Sequence, residues 1–176
     1  MPVKVNINVD WNKLREEAIK AIDARVIYAF MNACEDAVNY AKTNHEYKQQ
    51  SGALNSSTGF QIYKDGELIH SYFEMSQGGE KPSESAKLAG MEAGQKMAEK
   101  RASELGAHIC GVVVAGMPYA IYVEAGHSVK KKDGTKVWVH GRDVLAGAYH
   151  QFPDFLEECM REAFKNDSTT WNISND

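Results

Sequence analysis

Cysteine is scarce: Cys34, Cys110 and Cys159 are the only three in 176 residues, odd in number, widely spaced and set among apolar neighbours. A disulfide framework needs pairs, so these read as buried free thiols of a reducing compartment. Positive charge is not in excess either. Twenty Lys and Arg stand against 24 Asp and Glu, a net charge of -4, so no overall basic field draws the whole domain to nucleic acid or anionic membranes. No apolar run reaches bilayer length, and the longest, Ile109 to Val123, contains Pro118 after two glycines. The opening MPVKVNINVD lacks the apolar core and small-residue cleavage site of a secretion signal, so the expected compartment is the cytoplasm in which the chain is made. Walker, Gly-x-Gly-x-x-Gly and Gly-x-Ser-x-Gly motifs are all missing. His45-Glu46 begins like a zinc-protease helix, but Gln49 stands where the second histidine is required.

What is present suffices for one domain with its own core. Val3, Val5, Ile7 and Val9 alternate with polar residues, the pattern of a half-buried strand. Asp10 is placed to cap a long helix whose apolar stripe runs Trp11, Leu14, Ala18, Ile22, Val26, Phe30, Ala33, Ala37, Ala41. Strand-like segments at 59–64 and 67–74 flank Asp65-Gly66, a two-residue hairpin signal. A second helix over 83–105 shows a thin stripe, Leu88, Met91, Ala98, Ala102 and Leu105, and is expected at the periphery. HICGVVVA, residues 108–115, is apolar on both alternating faces, which suggests a central strand covered on both sides.

Pro118 and Gly126 bracket a helix of about two turns. A polar loop or hairpin follows around Asp133-Gly134, with Val137 and Val139 on one side and Trp138 on the other. The last helical region starts at Asp143, and Pro153 must kink or divide it. The expected fold is α+β: a small, mainly antiparallel sheet of hairpin plus central strand, packed on a long N-terminal helix and a C-terminal helical region. One domain spans 1–164, and 165–176 is a flexible tail anchored only by Trp171.

Residues 116–127, GMPYAIYVEAGH, set a carboxylate and a histidine inside an aromatic stretch. One reading makes them part of a small hydrolase site, with Cys110 as nucleophile, His127 as base and Glu124 as orienting group, although Cys110 lies mid-strand and away from any thiolate-stabilising position. His108 and Cys110 are two apart and share a face as conceivable metal ligands, with His127, His140 and Cys159 as completions, but no pair has structural-zinc spacing. No catalytic, cofactor or metal residue is assigned. The other reading is assembly. Tyr119 and Tyr122, three apart, form an aromatic edge that suits core or interface. Glu124, at a helix C-terminus, is disfavoured by the macrodipole and is either solvated or paired with a cation, for which Arg142 and the lysines of the following loop are the candidates, within a subunit or across an interface. Lys130, Lys131, Lys132 and Lys136 are the only basic cluster, a solvated tip or a contact to DNA or an acidic partner.

Three segments together resemble a known family. Ser51-Gly52-Ala53-Leu54-Asn55-Ser56-Ser57 followed by a hairpin is similar to a Thr/Ser-Gly-x-Leu-x-x-Ser segment of the tail-component family of long-tailed bacteriophages, the gene-product-ten-like neck proteins. Val112 to Ala125 looks like that family's strand running into Tyr-Ala-x-Tyr-Val-Glu, and Gly141-Arg142-Asp143-Val144-Leu145 is similar to the opening of its last helix. The likeness covers about Val3 to Phe164. The helix at 83–105 then counts as an insert, and the lysine loop and the missing Pro-Phe pair also depart from the pattern. The resemblance implies a virion protein, present in the host cytoplasm during assembly, that acts in head-tail joining or tail completion. It would form a homo-oligomeric ring passing DNA and contact other neck or tail proteins, with no catalysis, no cofactor and no membrane. Tyr119, Tyr122, Glu124 and Arg142 are the expected subunit interface.

Overall fold

The computed structural model describes residues 10–45 and 47–165. The expected strand at Val3–Val9 and the polar tail with Trp171 lie outside the described residues. The elements follow in the order α1 (Trp11–Thr43), α2 (Ala53–Ser56), β1 (Thr58–Lys64), β2 (Glu67–Phe73), α3 (Glu84–Leu105), β3 (Ile109–Ala115), α4 (Ala120–Ala125), β4 (Gly126–Lys130), β5 (Lys136–His140) and α5 (Ala146–Phe164). The chain is α+β, with a three-stranded antiparallel sheet between α3 on one face and α1 with α5 on the other. Among the described residues no helix is long and apolar enough to cross a membrane.

Asp10 caps α1 as its position predicts, one carboxylate oxygen accepting from the Asn12 and Lys13 amides at 3.1 Å each. Thirty-three residues make α1 about 50 Å long. Its second half is core, with Ala29, Ala33, Cys34, Ala37, Val38 and Ala41 buried. The first half departs from the expected continuous core face: Trp11 is 72% exposed, Leu14 42% and Ile22 51%. The cause is length, since α5, the helix packed along α1, has only 19 residues.

The β1–β2 hairpin turns on Asp65 (φ 52°) and Gly66 (φ 83°), the left-handed pair that a tight two-residue turn demands. Alternation sorts the side chains. Phe60, Ile62 and Val113 face α1, while Tyr63, Cys110, Val112 and Val114 face α3. The strand order β2-β1-β3 corrects one expectation: within the described sheet β1 lies in the middle and β3 at an edge. The two-sided apolar pattern of β3 comes from helices above and below it, not from flanking strands.

A second correction concerns α3, which is not peripheral. Its buried stripe is Lys87, Gly90, Gly94 and Ala98, whereas Leu88 and Leu105 face outward. The glycines let the helix backbone touch the sheet layer. A Cβ on Gly94 would meet the Ser57 carbonyl at 2.5 Å, and one on Gly116 would run into the Gly94 backbone. Such close contact leaves no room for large apolar side chains, so the stripe looks weak in sequence although it covers a sheet face.

The last helix, α5, begins at Ala146, three residues later than expected, and runs through Pro153 without dividing. Its buried Ala148 joins Ala37 and Ala41, with Phe152 and Phe155 packed alongside. Lys165 ends it.

Candidate functional site

Ser51-Gly52 breaks the chain after α1, and one helical turn, α2, leads into β1. This polar stretch is buried. Ser56 and Ser57 are fully enclosed, with Thr58 and Asn55 nearly so. Each hydroxyl finds a carbonyl three or four residues back: Ser56 Oγ donates to Gly52 at 2.9 Å, Ser57 Oγ to Leu54 at 2.7 Å and Thr58 Oγ1 to Leu54 at 3.1 Å. Tyr47 Oη donates to Asn55 Oδ1 at 3.1 Å, and burial pushes the Tyr47 phenol well above its usual range. The same serines reach across to distant chain. The Ser56 hydroxyl accepts the Ser76 amide at 2.9 Å and the Ser57 hydroxyl the Met117 amide at 3.2 Å, while the Ser57 carbonyl accepts from Gly116 at 3.1 Å.

Beyond Gly116 the chain turns through Pro118 into α4. Glu124 lies near its C-terminal end, as expected, and its carboxylate accepts from backbone amides. Oε2 accepts the Val144 amide at 2.8 Å and the Leu145 amide at 2.9 Å, and Oε1 the Ala146 amide at 3.0 Å. The Leu145 and Ala146 amides are free N–H groups at the start of α5 and the Val144 amide lies just before it, so the Glu124 side chain caps this helix from a distant part of the chain. The positive end of a helix dipole does what a cation was expected to do. Arg142 is exposed beside this cap, and its amide donates to the Val123 carbonyl at 2.7 Å.

Three separated segments thus converge. Leu54 from the first, Ala115, Met117, Ala120 and Val123 from the second, and Val144 and Leu145 from the third form one apolar cluster around Tyr47. On its outer side α4 presents Tyr119 (40% exposed), Ile121 (63%) and Tyr122 (58%). The two tyrosines read as ambiguous between core and interface therefore lie at the surface. Ile121 is exposed beside them, a position that no helical spacing with Tyr119 or Tyr122 announces.

After α4 the chain forms a second hairpin, β4–β5, pairing Gly126 with His140 through Lys130 with Lys136. Lys130, Lys131, Lys132 and Lys136 are all exposed at its tip, where the Asp133 carboxylate accepts the Thr135 amide at 2.9 Å. A cavity of about 320 Å³ at its root is lined by Tyr47, Lys48, Tyr122, His127, Val139 and His140 among others.

The Cys110, His127 and Glu124 grouping is not assembled. Cys110 packs on the α3 side of the sheet with Tyr63 and Ala98, His127 lines the hairpin-root cavity, and Glu124 is occupied by the α5 amides. Burial raises the Cys110 thiol, the wrong direction for a nucleophile. His108 and Cys110 do line one trough of about 1140 Å³ between the sheet and α3, while His127 and His140 belong to the hairpin-root cavity and Cys159 lies on α5. Among the described residues no group of three or more His, Cys, Asp or Glu side chains is arranged to hold a metal ion.

His108 has another role, which no spacing in the sequence announced. Its Nδ1 lies 2.6 Å from Asp65 Oδ1 and its Nε2 3.3 Å from Asp23 Oδ2, and Lys64 Nζ lies 2.6 Å from the same Asp23 oxygen. The side chain ties the hairpin turn to α1. Bonds to Asp65 and Asp23 raise the His108 pKa, and the Lys64 ammonium lowers that of Asp23. Comparison with protein-family models, curated proteins and solved structures finds no match for this chain.

Proposed function

We propose that the chain is a structural subunit of a bacteriophage or prophage virion, in the neck or upper tail, that acts in head-tail joining or tail completion. It works as a homo-oligomeric ring through which DNA passes, and is built in the host cytoplasm before it enters the particle. One observation carries this: the three segments that bear the resemblance meet in a single buried joint, with Ser57 bonded to Gly116 and Met117 and Glu124 bonded to the start of α5. Residues used this way hold a shape. Directed outward from it, Tyr119, Ile121 and Tyr122 offer an apolar edge of the kind enriched at protein contacts, with Arg142 at its margin.

The lysine tip of β4–β5 is the place for DNA or an acidic neck or tail partner. No catalysis enters this role. Deleting the gene from an inducible phage is the test, with electron microscopy of the lysate. Full heads and free tails that fail to join, restored by supplying the gene in trans, are expected. Infectious particles of normal yield that lack the protein overturn the proposal.

A further inference from the structure

The chain as a whole is acidic, with 20 Lys and Arg against 24 Asp and Glu, and one element reverses that sign. On the β4–β5 hairpin Lys130, Lys131, Lys132 and Lys136 stand against a single acid, Asp133, whose carboxylate turns back on the Thr135 amide at 2.9 Å and holds the turn. None of the four ammonium groups has a hydrogen-bond or ion-pair partner among the described residues, whereas Lys64, Lys96, Arg101 and Arg161 each meet a carboxylate within 4.0 Å. Unpaired cations held together repel one another, and an anion relieves that repulsion.

The acidic body does not cancel this charge. Five-residue strands carry the tip about 17 Å from the root, where Gly126 pairs with His140. That is about two Debye lengths at physiological ionic strength, so an anion at the tip is screened from the body.

Sidedness adds a second group. The pairs Ser128–Trp138 and Lys130–Lys136 follow one another on one face of the ribbon. The other face carries Val129, Val137 and Val139, and at the root Val139 and His127 line the cavity with Tyr47 and Tyr122. The Trp138 face is therefore the one turned away from the body. Trp138 is 56% exposed and lies across from a serine too small to cover it.

An acidic protein surface would satisfy the lysines and leave the indole idle. A strand of nucleic acid satisfies both, its phosphates meeting the lysines and an unpaired base stacking on the ring. Duplex bases are already stacked on one another and offer the ring nothing. On this face only the Ser128 hydroxyl could meet a ribose 2′-OH, the group by which proteins tell RNA from DNA, so nothing here selects RNA.

We propose that the β4–β5 hairpin binds single-stranded DNA, with phosphates on Lys130, Lys131, Lys132 and Lys136 and one base stacked on Trp138. This rests on the assembly reading above only in that DNA comes within reach of the hairpin, and it decides between the two ligands given there for the tip.

The test is fluorescence anisotropy of a labelled oligothymidylate of about 12 nucleotides titrated with the full chain, from about 50 to about 200 mM salt. Wild type is expected to bind with log K falling by about 2 to 3 per decade of salt, four lysines at about 0.7 each. Replacing Lys130 and Lys136 together by Gln should flatten that slope by about 1.4. Trp138→Ala should weaken binding about 5-fold or more with the slope unchanged, and Trp138→Phe should keep most of the affinity. Bound DNA should also quench tryptophan fluorescence in wild type by an amount that the phenylalanine variant lacks. Circular dichroism checks the fold, and the quenching difference between wild type and Trp138→Phe carries the test if the alanine variant fails to fold. A duplex of the same length and a polyglutamate peptide should bind more weakly than oligothymidylate, and oligouridylate no more tightly. No binding at about 50 mM salt, an affinity and a quench indifferent to Trp138, or tighter binding of duplex, oligouridylate or polyglutamate each overturn the assignment. All of these leave the assembly reading intact, because the gene-deletion experiment decides the virion role independently.

Discussion

The Glu124 carboxylate and the Leu145 amide lie 2.9 Å apart although 21 residues separate them in the chain. With the Ala146 amide also bound, and that of Val144 just before the helix, one half-buried side chain satisfies two of the donors that every helix start leaves open and a third beside them. Replacing Glu124 by Ala should lower the unfolding free energy by about 1–3 kcal/mol, the range for hydrogen bonds to a charged group and loss of a cap. Glu124→Gln, which keeps an acceptor without the charge, should fall between. Urea melts with unchanged slope measure both, and a loss below about 0.5 kcal/mol for the alanine variant would count against the cap.

The approach of α3 to the sheet gives a second expectation. A methyl at Gly116 meets the Gly94 backbone, and a methyl at Gly94 meets the Ser57 carbonyl, so neither can be relieved by a rotamer change. Gly94→Ala and Gly116→Ala should each cost about 1–3 kcal/mol or more. Both open the same gap, so the double variant should cost less than the two singles together. Strict additivity in the same melts would mean that the two positions do not share a contact.

His108 makes stability depend on pH with a definite sign. Its pKa is raised above the ordinary 6.5, so its contribution is complete below about pH 6.5 and is lost as pH rises through the raised value. Asp23 behaves oppositely: its pKa lies below 3.8, and its contribution is present above that value and lost as pH falls through the lowered one. Both hold between about pH 4 and 6.5. The groups facing His108 are Asp65 and Asp23, with Lys64 against Asp23. Comparing urea midpoints of wild type and His108→Gln, the gap should be wider at about pH 5.5 than at about pH 9. A constant gap would show that the ring packs without titrating.

Thiol accessibility separates a structural protein from the hydrolase alternative. Burial pushes the Cys34 thiol up to about 12 and raises Cys110 as well, and Cys34 is fully enclosed. Cys159, half-buried beside Asp36, is also raised. In the native protein at neutral pH, a thiol-alkylating reagent should modify Cys159 first and slowly, and Cys34 and Cys110 only in denaturant. Rapid native labelling of Cys110, read by peptide mass spectrometry, would reopen the enzymatic reading.

What local chemistry decides is legible in the sequence. Asp10 caps α1 because its carboxylate suits free amides, and Asp65-Gly66 turns because those two residues accept positive φ. What depends on the length or backbone of a distant element was not. The stripe of α1 has one period throughout, and only the extent of α5 determines which half is covered. The α3 face was discounted because glycine carries no apolar signal, yet glycine is what brings that helix close. For Glu124 the sequence leaves solvation and a cation open, and the amides that bind it belong to a helix start, which looks like no cation in sequence. The convergence of the serine segment, the Tyr-Ala-x-Tyr-Val-Glu segment and the start of α5 is a property of topology alone.

The hairpin leaves and re-enters the body at one point. Gly126 pairs with His140, the Arg142 amide returns to Val123, and Gly141 sits so close to the Glu124 carbonyl that a methyl group there would collide with it. Everything between is tethered like a blade in a handle, and its length does not set the register of the sheet or the phase of α5. Such a piece can be lengthened, trimmed or exchanged while the body stays as it is. Selection on what the protein binds and selection on how it folds can therefore act on different residues of the same chain.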